Sequence, residues 1–173
     1  EMLTLVIANW YKDHLYLFED EKISEYDKAI AKQLASANAP VKDTKGSLLL
    51  LTKMMRQHYG KPVILLIDEY DVPVAKANSH GYYNEMLDVM KGLMQALKDN
   101  QSLRFAVITG CLKIAKESVF TGTNNFVSDT ITDSRFNEYF GFTQYEVYQI
   151  LEKVDAIDKA DSMNEWYNGY YFG

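Results

Sequence analysis

The sequence of 173 residues contains a single cysteine, Cys111, and only three prolines. One cysteine cannot form an internal disulfide, which excludes the disulfide-rich secreted class and favours a cytoplasmic protein. No run approaches the roughly 18 apolar residues of a membrane helix, and no signal segment opens the chain. The 18 basic residues are outnumbered by 24 acidic ones, which makes nucleic acid an unfavourable partner. The three histidines are scattered and lack the spacing of metal ligands.

Among the residues that are present, one stretch organises the chain, the segment VILLIDEYD from Val63 to Asp71. Its five apolar residues do not alternate with polar ones, which predicts a strand that is covered on both faces of a parallel sheet. The carboxylates Asp68, Glu69 and Asp71 follow at once. Since ligands of open α/β sheets bind beyond the carboxyl ends of the strands, these acids are candidates for a cation or a proton-transfer site.

Helical spacing of apolar residues precedes this strand. We expect an amphipathic helix over residues 2–18 and a second helix from the cap Ser24 to about residue 37. The polar segment 40–46 is expected to be a loop. A third helix over 47–59 should end at the left-handed cap Gly60.

The segment after the strand predicts a βαβ unit. Residues 68–78 are interpreted as the exit of the strand, followed by a long helix over 82–98 whose methionine-rich stripe packs in the core. LRFAVI, residues 103–108, predicts a second buried strand that ends at Thr109-Gly110. A crossover of this length implies that the two strands are parallel.

The last third of the chain carries weaker signals. Residues 113–125 are expected to be irregular, and residues 126–131 are expected to form a short strand. Thr143 with Glu146 predicts a capping box at the start of a helix, and Ser162 opens a final helix in the same way.

An apolar strand followed by Asp-Glu is the Walker B pattern of the P-loop NTPases. In that chemistry the first acid, here Asp68, holds Mg²⁺ opposite the nucleotide phosphates, and the second, Glu69, activates water. A polar residue at the neighbouring strand tip, here Thr109, positions the γ-phosphate, and Asp71 is a further candidate near the metal. The pattern is weak by itself because acids often cap turns after strands. No G-x-x-x-x-G-K-[ST] loop occurs anywhere in the sequence.

Four motifs in fixed order add to this pattern: IDEYDVPV, RFAVITGCLKIAKESVFTGTNNF, YFGFTQYEV and WYNGYYFG. Together they resemble the bacterial AAA-ATPase-like family, whose members join a P-loop ATPase domain to a C-terminal restriction-nuclease-like domain. The motifs lie between Val63 and Gly173, and the helices before Lys61 carry no diagnostic residue.

The resemblance implies an α/β fold, a partial P-loop NTPase sheet with flanking helices and a helical C-terminal part. It implies that Asp68 is the Mg²⁺ acid, Glu69 the water-activating acid and Thr109 the sensor. In the family the Gly-Lys-Ser/Thr loop lies upstream and the nuclease-like domain downstream of the matching motifs. We therefore interpret the chain, which opens Glu1-Met2, as a piece of a longer protein. That protein is expected to bind Mg²⁺ and ATP, while the piece is expected to bind neither tightly.

The same interpretation gives one domain over residues 1–173. Its parts are a helical segment over 1–60, a sheet core over 61–131 and a helical segment over 132–173. Because the sheet is incomplete, its exposed edge is a candidate for self-association.

Two other functions remain open from the residues alone. The chain could be an interaction module without nucleotide chemistry, or a metal-dependent nuclease that uses Asp68, Glu69 and Asp71, although no E-x-K spacing is present. Arg135 is a candidate phosphate contact, with a solvated surface arginine as the alternative. Cys111 is expected to be buried. The C-terminal aromatics of WYNGYYFG are expected to pack in a core or domain interface.

Overall fold

The structure, a computed structural model, describes residues 2–111 and 126–167. The chain divides into unit 1, Glu1–Asn124, and unit 2, Asn125–Gly173. Unit 1 includes α1 (Met2–Lys12), α2 (Glu25–Ala35), α3 (Val41–Tyr59), β1 (Val63–Ile67), α4 (Val72–Ser79), α5 (Tyr83–Met94) and β2 (Leu103–Ile108), with 3₁₀ turns at Leu15–Phe18 and Gln95–Leu97. Unit 2 includes α6 (Gln144–Lys153) and α7 (Ala160–Tyr167), with 3₁₀ turns at Asn137–Tyr139 and Ile157–Lys159. The predicted α/β class is confirmed.

Strands β1 and β2 form a parallel two-stranded sheet, as their βαβ spacing predicts. Ile64 pairs with Phe105 and Ile67 with Ile108, with one irregularity next to Val63. Because the strands are parallel, both end at the same edge of the sheet, and α4 and α5 form the crossover between them.

The two faces of this sheet differ, and the expectation that β1 is covered on both faces is wrong. The inner face carries Leu65, Ile67 and Ile108, which pack against the helical core. The outer face consists of Ile64, Leu66, Phe105 and Val107, which are 51%, 71%, 47% and 47% exposed. The alternation arises because the described helices pack on one face only, so every second apolar side chain points away from them.

The helices of unit 1 enclose a continuous apolar core. Met90, Leu93 and Met94 of α5 are buried in it together with Met54 of α3, which confirms that the methionine-rich stripe is core packing. Tyr11 of α1 is fully buried, and its hydroxyl donates a 2.6 Å hydrogen bond to the carbonyl oxygen of Ser47. Burial raises the pKa of Tyr11 well above its usual range.

The first helix is shorter than the predicted 2–18. α1 ends at Lys12, and Nδ1 of His14 lies 2.6 Å from the carbonyl oxygen of Trp10. The imidazole thus contacts the carbonyl oxygen of Trp10, to which the amide of His14 would donate if the helix continued. The 3₁₀ turn that follows directs Leu17 into the core.

The predicted loop over 40–46 is instead the first part of α3. Pro40 is the N-cap residue, and its carbonyl oxygen accepts 3.0 Å hydrogen bonds from the amides of Asp43 and Thr44. Lys45 is held against α5 by a 2.5 Å ion pair with Asp88. Tertiary contacts therefore extend the helix through Gly46, whose intrinsic helix propensity is low. The predicted Gly60 cap is confirmed, with φ of 63°.

The segment interpreted as the exit of the strand, residues 68–78, contains helix α4. Pro73 lies in its first turn, where a proline removes no intrahelical hydrogen bond. Only four residues, 68–71, therefore separate the end of β1 from the start of α4, and the acids lie in this short turn.

In unit 2 the capping box is confirmed: the amide of Glu146 donates to Oγ1 of Thr143, and the amide of Thr143 donates to Glu146. The strand expected over 126–131 is absent from the described residues. Instead, the carboxylate of Asp133 accepts from the amide of Thr130 at 2.6 Å and closes a turn there. The last helix begins at Ala160, ahead of the expected cap Ser162, because it continues directly from a 3₁₀ turn.

Candidate functional site at the strand ends

Two short segments meet where β1 and β2 end, and we call them together the strand-end site: residues 68–71 and 109–111. The amide of Thr109 donates to the carbonyl oxygen of Ile67 at 2.9 Å. The amide of Tyr70 then donates to the carbonyl oxygen of Thr109 at 3.2 Å. These two bonds continue the pairing of the strands past the sheet and bring the predicted residues of both segments together.

Asp68 lies at the tip of β1 with its carboxylate exposed. Its Oδ1 accepts a short hydrogen bond from Oγ1 of Thr109 and a 2.9 Å bond from the amide of Glu69. Among the described residues, Oδ2 of Asp68 accepts no hydrogen bond. One oxygen thus fixes the carboxylate in place, while the other is open to a cation.

Glu69 follows in a left-handed backbone conformation, with φ of +51°. This conformation is unfavourable for a residue that carries a Cβ, by roughly 1–2 kcal/mol. Its carboxylate is exposed and makes no hydrogen bond or ion pair within the part of the chain that the structure describes. A carboxylate in this state can act on a water molecule outside the protein surface.

Asp71 differs from the other two acids because it is buried, with 3% of its surface exposed. Its Oδ1 accepts a 3.3 Å hydrogen bond from the amide of Cys111, in the exit of β2. Cys111 itself is exposed, so the expectation of a buried cysteine is wrong. The residue lies three positions after the end of β2, beyond the part of the strand that packs against the core.

Arg135, the remaining predicted site residue, lies in unit 2. Its guanidinium is more than half exposed, lies 3.5 Å from Oδ2 of Asp129 and sits over the ring of Phe136 at 4.8 Å from the ring centre. These contacts are local to unit 2 and would compete with a phosphate for the guanidinium.

The described residues include no cluster of three or more His, Cys, Asp or Glu side chains that could hold a metal ion. Mg²⁺ commonly takes one or two protein carboxylates and completes its shell with phosphate and water oxygens, so the open oxygen of Asp68 is compatible with such a site. Within the same residues, no helix has the length and apolarity that a membrane span needs. The segment 113–125 and Tyr170, Tyr171 and Phe172 lie outside the described residues.

Sequence reasoning missed two members of the strand-end site. Gly110 lies against the ring of Tyr70: a Cβ built on Gly110 would meet two ring carbons, each at 2.6 Å. In the sequence, Tyr70 carries no functional signal and Gly110 indicates only the end of a strand. Their proximity depends on the register of β1 and β2, which the sequence does not specify.

A family model described as "Predicted AAA-ATPase" matches residues 6–120. The chain belongs to this AAA-ATPase-like family. The match includes both strands and the strand-end site. It also includes the helices before Lys61, which carry no diagnostic residue, and it ends before the motifs YFGFTQYEV and WYNGYYFG.

A relative of the AAA-ATPase-like chain is the protein titled "Uncharacterized protein in vnfD 5'region" of Azotobacter chroococcum mcd 1. It is 33% identical over 114 residues, which are 64% of this chain and 22% of the relative. The matched chain thus spans little more than a fifth of the length of that relative. No solved structure gives a significant match.

Proposed function

We propose that the chain supplies the metal-binding and water-activating acids of an ATP-hydrolysing site of P-loop type. The observation that carries the proposal is the arrangement of Asp68 and Glu69 at the tip of β1, with Thr109 on the adjacent strand tip. Family membership supports the same reading. The coupling of this site to a nuclease-like domain is a further expectation from the family resemblance.

In this proposal Asp68 binds Mg²⁺ through Oδ2 while Oδ1 stays fixed by Thr109 and the amide of Glu69. Bound Mg²⁺ would neutralise charge on the nucleotide phosphates. Glu69, whose carboxylate is exposed and unshared, orients the attacking water and takes its proton. Thr109 can exchange its bond to Asp68 for a bond to a phosphate oxygen. Asp71 remains a secondary candidate for a supporting role near the metal, and Arg135 a secondary candidate for phosphate.

The test uses the longest natural protein that carries this sequence. Glu69→Gln is expected to keep ATP binding and to lower the rate of hydrolysis by about 10²–10⁴-fold, the usual contribution of a positioned acid or base. Glu85→Gln changes an exposed glutamate of α5 in the same way and serves as the matched control. Normal turnover by the Glu69→Gln protein would show that the role proposed for Glu69 is wrong.

The 173 residues alone are a second test. The phosphate-binding loop, whose amides and lysine provide most of the grip on phosphates, has no match in this sequence. We therefore expect calorimetry to detect no micromolar ATP affinity for these residues by themselves. Tight binding would mean that the nucleotide is held by other groups than those proposed. An upstream coding sequence with a Gly-Lys-Ser/Thr loop would support the proposal.

The open side of the sheet favours a second candidate function, association with another copy of the chain. Within the described residues the sheet has two strands, so each strand has one edge without a β partner. The outer face beside these edges is apolar and exposed. Sedimentation with and without Mg-ATP tests this function. Association that is equally strong in both conditions favours the interaction function, and a monomer at all concentrations contradicts it.

A further inference from the structure

Asp71 is the buried carboxylate of the strand-end site, and its contacts run to the neighbouring strand exit. Its Oδ1 accepts from the amide of Cys111 at 3.3 Å, while its main-chain oxygen accepts from the amide of Ala75 in α4 at 2.9 Å. Asp71 therefore joins the start of α4 to the end of β2. Asp68 and Glu69, by contrast, present exposed carboxylates.

The fit around Gly110 shows how close this contact is. A methyl group on Gly110 would lie 2.6 Å from Oδ1 of Asp71 and 2.6 Å from two carbons of the Tyr70 ring. Such distances are shorter than nonbonded contacts allow. Any larger residue at position 110 would therefore displace the Tyr70 ring or the Asp71 carboxylate.

These contacts also restrict the main chain at Thr109, the residue before Gly110. Its amide and carbonyl are both bonded to the β1 segment, at 2.9 Å and 3.2 Å, and the amide two residues later is bonded to Asp71. The main chain from 109 to 111 is thus held at three points. In this main-chain position, the hydroxyl of Thr109 donates a hydrogen bond to Oδ1 of Asp68.

We propose that Asp71 is a positioning residue: it holds the Gly110–Cys111 main chain and thereby keeps the Thr109 hydroxyl on Asp68. Its catalytic consequence rests on the proposed ATPase function, whereas the contact itself needs no nucleotide. The contact with Cys111 requires a hydrogen-bond acceptor at this place, and the side-chain oxygen of asparagine is one. Asparagine at 71 should therefore substitute for aspartate, which would not hold for a magnesium ligand.

The first experiment measures amide hydrogen exchange of Cys111 by NMR in this chain. Asp71→Ala should speed exchange about fivefold, as expected for the loss of one hydrogen bond. Asp71→Asn should stay close to the unsubstituted rate. Gly110→Ala, which pushes the same contact apart from the other side, should resemble Asp71→Ala. Asp13→Ala removes an exposed carboxylate of the turn after α1 and is the matched control.

The second experiment measures ATP hydrolysis in the longest natural protein that carries the sequence. Asp71→Ala should lower kcat without raising the Mg²⁺ concentration needed for half-maximal activity, and Asp71→Asn should restore most of the loss. Because Asp71 acts through Thr109, the effects of Asp71→Ala and Thr109→Ala should not add. A residue with a merely structural role would give additive effects.

Two results would overturn the inference. One is an unchanged exchange rate of Cys111 in Asp71→Ala. The other is an Asp71→Asn protein that loses as much activity as Asp71→Ala and needs more Mg²⁺, which would identify Asp71 as a ligand. If the longer protein hydrolyses no ATP, the proposed function fails, and the exchange rates still decide the positioning role. If Asp71→Ala does not fold, Asp71→Asn and Gly110→Ala carry the comparison.

Discussion

The inner and outer faces of the β1–β2 sheet are built from the same kinds of residue but have different surroundings. Leu65 and Leu66 are neighbours in sequence, yet Leu65 packs against the helical core and Leu66 is 71% exposed. The sequence VILLI carries no sign of this difference because both faces are apolar. An apolar sequence on both faces is typical of a strand that is covered on both sides. The described helices cover only one of these two faces.

The difference also separates two kinds of physical contribution. On the inner side, stability comes from close packing and satisfied polar groups, such as the hydroxyl of Tyr11 on the carbonyl of Ser47. The exposed groups are the apolar outer face of the sheet and, at the edge where the strands end, the carboxylates of Asp68 and Glu69. Truncating a side chain on the inner side should therefore lower the unfolding free energy, whereas substituting an exposed group should mainly change binding or association.

The largest expected effect is on the inner face. Leu65→Ala should lower the unfolding free energy by about 2–3 kcal/mol, because it removes packed methyl groups and leaves a cavity against the core. Leu66→Ala is the matched control and should change it by less than about 0.5 kcal/mol, since its side chain is mostly in solvent. Chemical denaturation of both variants measures the difference. Equal losses would mean that the two faces are equally covered in solution.

The next effect tests the polar part of the inner side and depends on pH. Tyr11→Phe should lower the unfolding free energy by about 1–1.5 kcal/mol, because a buried hydrogen bond is lost. Burial raises the pKa of Tyr11, so the folded state keeps a proton that the unfolded chain loses above about pH 10. Stability should therefore fall as the pH rises past 10, and less steeply in Tyr11→Phe.

Denaturation curves between pH 8 and about 11 give both quantities. Tyr26→Phe, at a tyrosine of α2 that is 75% exposed, is the control and should leave both the stability and its pH dependence unchanged. An alkaline slope that is identical in Tyr11→Phe and the unsubstituted chain would contradict the buried state of this phenol.

A third prediction concerns Glu69, in the turn after β1. Here the substitution should increase the unfolding free energy instead of lowering it. Glu69→Gly should raise the unfolding free energy by about 1 kcal/mol, because glycine adopts φ of +51° without a clash of its Cβ. Ala37→Gly, at a left-handed residue with φ of 60° that follows α2, should stabilise by a similar amount. Thermal unfolding measures both.

In the longest natural protein, Glu69→Gly should abolish ATP hydrolysis while Ala37→Gly should leave it intact. This pair separates backbone strain from carboxylate chemistry, since only one of the two positions lies in the strand-end site. Retained hydrolysis in Glu69→Gly would remove Glu69 from the proposed mechanism, whatever its effect on stability.

The sequence was sufficient for the features that depend on local chemistry. Strand positions, the Gly60 cap, the Thr143–Glu146 capping box and the parallel pairing follow from apolar runs, glycine conformation and short-range hydrogen bonds. The position of Asp68 and Thr109 on adjacent strand tips follows from the same parallel pairing.

Features that depend on tertiary contacts could not be predicted. α3 extends through Gly46 because Lys45 is paired with Asp88, 43 residues away in sequence. The contact of Asp71 with Cys111 depends on strand register and on the space that Gly110 leaves. The outer face is exposed because none of the described helices packs on it, and this depends on the tertiary arrangement and not on a local sequence pattern.

The smallest expected effect on stability carries the test of association. Leu66→Lys should change the unfolding free energy by no more than about 0.5 kcal/mol, because position 66 is mostly exposed. The added charge on an apolar face should nevertheless weaken self-association, because contact between two apolar faces would bury the ammonium group without a partner. Leu5→Lys, at a leucine of α1 that is 57% exposed, is the control and should leave association unchanged. Sedimentation across a concentration series measures this: equal association of the two variants would show that the outer face is not the surface through which copies meet.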